Sequence, residues 1–114
     1  MKIAISTEGE TLKSNIDPRF GRARGFVIYN LENDDFIYID NEQNLAAAQG
    51  AGIQAAQNII DNNVDAIITG YCGPKAYKVL EEAEVKIFIT EKDTVENVVK
   101  KFKKNELNEQ QKDF

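Results

Sequence analysis

One thiol and three guanidinium groups carry most of the chemistry available to this chain. Cys72 is the single cysteine among 114 residues, and histidine is absent. A lone cysteine forms neither an internal disulfide nor a CxxC redox pair. Without histidine the chain has no Ser-His or Cys-His pair of its own, and no zinc site of the usual Cys/His kind. The arginines, Arg19, Arg22 and Arg24, all fall within DPRFGRARG (17–25), and every other basic side chain is a lysine. Forked donors gathered where Pro18, Gly21 and Gly25 shape the backbone suit an anion; the plainer reading is a solvated basic loop. Cys72 stands in GYCGPK (70–75), just ahead of Pro74, which suits a first helical position. A thiol placed there is expected to favour its thiolate and to offer one soft-metal ligand. The plainer reading of Cys72 is a small buried hydrophobe.

Positioning these groups is the task of a regular series of elements. Residues 2–6 (KIAIS) alternate and are β-rich, which predicts a strand. The loop over 7–25 is long enough to expect function in it. Strands at 26–30 (FVIYN) and 36–40 (FIYID) face each other across a short turn, a hairpin. A second loop spans 41–50. A helix over about 52–62 carries Ile53, Ala56, Ile59 and Ile60 on one side. Residues 65–70 (DAIITG) suit a strand covered on both faces. A helix over about 74–83, with Ala76, Val79, Leu80 and Ala83 inward, leads to a strand at 85–89 (VKIFI). The last helix follows Asp93 and Thr94; Val95, Val98, Val99 and Phe102 form its apolar stripe, and Asp93 and Glu96 have capping-box spacing. Residues 108–114 read as a polar, flexible tail.

The order β-β-β-α-β-α-β-α predicts a single α/β domain. Right-handed crossovers give a mixed five-stranded sheet of order 3-2-1-4-5, strand 2 antiparallel, with three helices on its faces. The loops 7–25, 41–52, 70–74 and 90–94 and all three helix N-termini then share one edge. Chain order reverses between the first and fourth strands, where ligands of open α/β sheets bind. Helix N-termini supply free N–H groups there, and Gly50, Gly52 and Gly73 allow close backbone approach. Arg19, Arg22 and Lys75 add charge. This combination suits a bulky polyanion with soft metals, of the iron–sulfur type.

Composition sets the outer bounds. The formal net charge of −5 argues against broad binding of nucleic acid or anionic membranes. No apolar run reaches the roughly 18 residues of a membrane span, and the first residues lack signal-peptide character, so a cytoplasmic location is expected.

Three segments together carry a resemblance: RFGR (19–22), GAGIQAA (50–56) and GYCGPKA (70–76). In this order they resemble the dinitrogenase iron–molybdenum cofactor biosynthesis family, which includes NifX-like carriers and the C-terminal domain of NifB. The resemblance covers residues 2 to about 107. It implies an α/β domain with a ribonuclease-H-like motif, at 1–107, that binds or carries an iron–sulfur or iron–molybdenum-type cluster or its precursor and is not an enzyme. By position it implies one wall from Arg19, Phe20, Gly21 and Arg22, an opening at Gly50 and Gly52, and an opposite wall from Tyr71, Cys72, Gly73 and Lys75, with Cys72 as the metal ligand. Cofactor-assembly proteins are the implied partners. Many members carry histidine near these motifs, and this chain has none.

Other functions predict other features. A binder of phosphate or another small anion, or a regulatory domain without a cluster, would use the same helix ends and arginines, although neither GxGxxG nor GxxxxGK[ST] occurs. A nuclease of ribonuclease-H type would need converging carboxylates; Asp40 and Glu8 reach toward the ligand edge, while Asp65 opens its strand at the other. One thiolate does not hold a cluster alone, so arginine and amide contacts, external thiols, or a second chain with its own Cys72 would complete the set; a monomer or weak homodimer is expected.

Overall fold

Three strands at the start of the chain build an antiparallel meander, and the rest of the fold grows from its inner edge. In the computed structural model, which describes residues 1–45, 49–112 and 114, β1 (Lys2–Thr7), β2 (Gly25–Asn30) and β3 (Phe36–Asp40) pair in sequence. A one-turn helix α1 (Glu42–Leu45) follows, then α2 (Ala51–Asp61), β4 (Ala66–Thr69), α3 (Pro74–Glu82), β5 (Lys86–Ile89), α4 (Val95–Lys103) and β6 (Asn108–Glu109). β4 pairs parallel to β1, and β5 parallel to β4. The predicted order 3-2-1-4-5 is present, and the predicted α/β fold with its mixed open sheet is the fold observed.

Two features differ from expectation. The sheet has six strands, because β6 adds antiparallel to β5 at the edge. Residues 108–110 therefore belong to the folded domain, not to a flexible tail. Polar composition concealed this, since a ladder is held by backbone groups that every residue carries. The loop at 41–50 also contains α1; its residues 46–48 lie outside the described residues, as does Asp113 of the expected tail.

The sheet is buried on both faces by separate cores. On one face Ala4, Phe26, Ile28 and Ile67 meet Ala55, Ala56 and Ile59 of α2 and Ala76 and Leu80 of α3. On the other, Ile3, Ile5, Val27 and Ile68 meet Val95, Val98 and Val99 of α4. The period-2 alternation of β1 and β2 sends neighbouring side chains to opposite cores. The predicted stripe of α4 is buried as expected, with Phe102 half-buried against Phe88. Ala83, expected inward, is exposed beyond the end of α3. The cap of α4 is Thr94, one residue later than the Asp93 spacing suggested: its Oγ1 accepts from Asn97 N–H at 3.3 Å. Asp93 instead binds Lys101 Nζ at 2.7 Å and Asn97 Nδ2 at 3.0 Å. Lys101 holds the Asp93 carboxyl below the usual range.

Candidate functional site

The arginine-bearing loop is fastened from both sides. Ser6 Oγ donates to Asp17 O at 2.6 Å, and Phe20 N–H donates to Tyr71 O at 3.3 Å, joining the first and third motifs. Arg19 and Tyr71 form a parallel bridge there. Phe20 is buried and stacks at a tilt on Phe26, centroids 5.3 Å apart. Buried Asn41 pins the other end: its Nδ2 donates to Gly21 O at 3.1 Å and to Ala23 O at 2.8 Å. Asn44 Nδ2 in turn donates to Asn41 Oδ1 at 2.7 Å. Sequence reasoning missed Asn41. Its only signal was an Asn-x-x-Asn spacing directly after a strand.

Fastened in this way, the loop lies directly on α2. A Cβ on Gly21 would fall 2.6 Å from Gly52 Cα, so the two backbones touch, and glycine is required. A Cβ on Gly52 would lie 3.3 Å from Ala76 Cβ, which brings α2 and α3 together at their N-terminal ends. Between them opens a groove of about 350 Å³ whose lining includes Phe20, Gly21, Gly50, Gly52, Gly73 and Lys75. Its volume falls in the range of small-molecule sites, about 300–1,000 Å³. Ile53, Pro74 and Ala76 complete the wall. Among the described residues Lys75 is its single charged side chain.

Both helices present bare N-termini to this groove. Gly50 caps α2 at φ 80°, a left-handed conformation that favours glycine. Gly73 caps α3 at φ −68°, ψ 165°, where any residue is comfortable, and a Cβ there would meet nothing within 4 Å. Glycine is an acceptable N-cap, and its missing side chain leaves open space in the groove. Among the described residues no side chain caps either helix, and neither first turn holds an acidic residue. The unpaired N–H groups and the positive ends of two dipoles therefore converge. The contrast is α4, whose Thr94 cap and Glu96 neutralise the same features.

The remaining expected site residues are placed elsewhere. Arg19 folds back on buried Asp17, with Nε at 3.3 Å from Oδ1, and this bond holds its guanidinium more firmly protonated. Arg22 Nη1 donates to Asn44 O at 3.2 Å and Leu45 O at 3.0 Å, closing the C-terminal end of α1. Both guanidiniums thus hold loop structure, and neither lines the groove. Tyr71 contributes its carbonyl to the Phe20 bond and leaves its ring half exposed.

Cys72 departs furthest from expectation. Its side chain is fully buried in the core shared by Phe20 and Ala76. Burial pushes the thiol up to about 12, the opposite of the thiolate predicted from the helix end. As placed, Cys72 does not fit a metal ligand. Among the described residues no three Cys, Asp or Glu side chains come together to hold a metal ion. A larger hollow of about 570 Å³ lies near Gly70 and α4, but Glu91 and Glu106 border it and Lys101 is engaged by Asp93. Its charge suits an anion poorly.

A mixed α/β sheet with a groove between two bare helix N-termini at its carboxyl edge defines the class: a ligand-binding domain of the open-sheet type. The chain belongs to the dinitrogenase iron–molybdenum cofactor family, whose sequence profile matches residues 1–105. The apo form of the orange protein from Desulfovibrio gigas shares 35% identity and a TM-score of 0.92, over 96% of this chain and 92% of that one. A candidate NifB protein from Thermotoga shares 30% identity and a TM-score of 0.84, over 95% and 91% of the two chains. An uncharacterised protein of Methanocaldococcus jannaschii is 29% identical over 109 residues, 94% of this chain and 89% of its own. Among the described residues no helix is long and apolar enough to cross a membrane.

Proposed function

We propose that the protein is a non-catalytic carrier of a preassembled anionic metallocluster, of the iron–sulfur or iron–molybdenum-precursor type, seated in the groove between α2 and α3. The observation that carries this reading is the pair of helix ends at Gly50 and Gly73, which among the described residues have no side-chain cap and open on one groove, with free space where a Gly73 side chain would stand. The family supports the cargo class, and a relative described in an apo form has a ligand to lose. The chain offers the groove no open thiolate and no imidazole. Its cargo must therefore arrive with its metals already ligated by sulfide or external thiols. The protein then supplies N–H donors, the Lys75 ammonium and apolar walls. A sulfur-surfaced cluster is weakly hydrated and tolerates Phe20, Ile53 and Pro74 beside it. A phosphate would find the same N–H donors and Lys75, but it is strongly hydrated and gains nothing from Phe20, Ile53 and Pro74 beside it.

Anaerobic mixing with a synthetic thiolate-capped iron–sulfur cluster anion, then gel filtration and iron analysis, tests the reading. Wild type should retain iron, Lys75→Glu should retain several-fold less, and Cys72→Ala should match wild type. Loss of iron in Cys72→Ala but not in Lys75→Glu would establish thiolate ligation instead. Stabilisation by inorganic phosphate, with no iron retained, would favour a plain anion binder.

A further inference from the structure

The C-terminal segment is held in place chiefly by one buried side chain. β6 contributes two paired residues, Asn108 and Glu109, both exposed. Gln110, next in the chain, is buried. Its backbone N–H donates to Ile87 O at 2.8 Å. Its side-chain amide meets Cys72 in both directions: Nε2 donates to Cys72 O at 2.8 Å, and Oε1 accepts from Cys72 N–H at 2.9 Å. One glutamine thus gives the Cys72 backbone the pairing that a neighbouring strand would give. Further along, among the described residues, the segment meets α3 through Lys112, 3.5 Å from Glu81, and through the exposed Phe114 ring, edge-on to half-buried Tyr77. Hollows of about 480 and 320 Å³ border the segment around Glu109 and Gln110, and Lys86 Nζ stands 4.0 Å from the Glu109 carboxylate across exposed surface.

We infer that residues 108–112 form a releasable strap that locks the turn at 70–73, and with it the α3 end of the groove, and that lifting the strap uncovers Cys72. Exposed edge pairings open locally before a core does. With Gln110 withdrawn, the Cys72 N–H and C=O lose their partners, and the turn that carries the thiol into the core is freed. The consequence for cargo rests on the groove being its seat; the strap itself is tested without cargo.

The single cysteine makes the readout specific. The native protein is labelled with methyl methanethiosulfonate, a small neutral thiol reagent, and followed by mass spectrometry. Gln110→Ala should accelerate labelling by about tenfold or more, at roughly three- to tenfold for each lost hydrogen bond. Gln110→Glu keeps the acceptor but sets a buried carboxylate oxygen against Cys72 O, and should label at least as fast as Gln110→Ala. Val99→Ala loosens the opposite core and should accelerate labelling only as far as its urea midpoint falls. The strap is refuted if Gln110→Ala labels within twofold of wild type, if its gain is accounted for by lost global stability, or if wild type already labels like an unfolded thiol. Iron retention by wild type with no labelling change in Gln110→Ala would leave the groove and remove the strap. Faster labelling with no iron retained would do the reverse.

Discussion

At the scale of single residues, the site is organised by side chains whose partners are inside the protein. Arg19 and Arg22 hold Asp17 and the α1 carbonyls, and Asn41 holds the loop that carries them. Cys72 is the sharpest case, because its thiol keeps its proton far above the ordinary range. The unfolded chain ionises near pH 9 while the folded chain stays protonated to about 12. The stability tied to this group is therefore complete below pH 9 and declines as pH rises toward 12. Urea midpoints across that window should fall for wild type and fall less steeply for Cys72→Ala. Below pH 9 the same substitution should cost about 1 kcal/mol. Identical slopes in the two proteins would mean that the thiol is not desolvated.

At the scale of elements, the three longer helices differ at their N-termini in the way the proposed groove requires. The N-terminus of α4 lines no hollow among the described residues and is capped by Thr94, with Glu96 in its first turn and lysines in its last. α2 and α3 face the groove and carry neither a side-chain cap nor an early carboxylate. Gly73→Asp makes the contrast testable. Its backbone accepts an L residue, its Cβ has room, and the carboxylate would cap α3. Denaturation should show a gain of about 0.5–1 kcal/mol, while cluster retention should be lost. A variant that is more stable and still retains the cluster would argue against the groove.

At the scale of the molecule, the two cores divide the work. The core beneath α2 and α3 supports the groove, and the core beneath α4 does not. Leu80→Ala should cost about 2–5 kcal/mol and weaken iron retention even where the protein remains folded. Val98→Ala should destabilise by about 1–3 kcal/mol and leave retention unchanged under the same conditions. Equal losses of retention would show that the groove depends on global stability alone.

The sequence by itself determined the strand order, the helix faces and the edge where the motifs gather. Those follow from local periodicity: KIAIS and FVIYN alternate at two, the valines of α4 repeat at three and four, and chain connectivity does the rest. Six residues of the motifs that the family resemblance marks, Phe20, Gly21, Gly50, Gly52, Gly73 and Lys75, line the groove proposed as the site. What only the tertiary structure decided is which polar groups face outward and which face each other. Cys72 occupies a helix-start position that reads as reactive, yet core packing buries it. The arginines read as ligand donors, yet Asp17 and the α1 carbonyls reach them first. Gln110 reads as part of a solvated tail, yet its amide pairs with a backbone 38 residues away. Burial and long-range pairing arise from contacts between segments distant in sequence, and no local pattern encodes them.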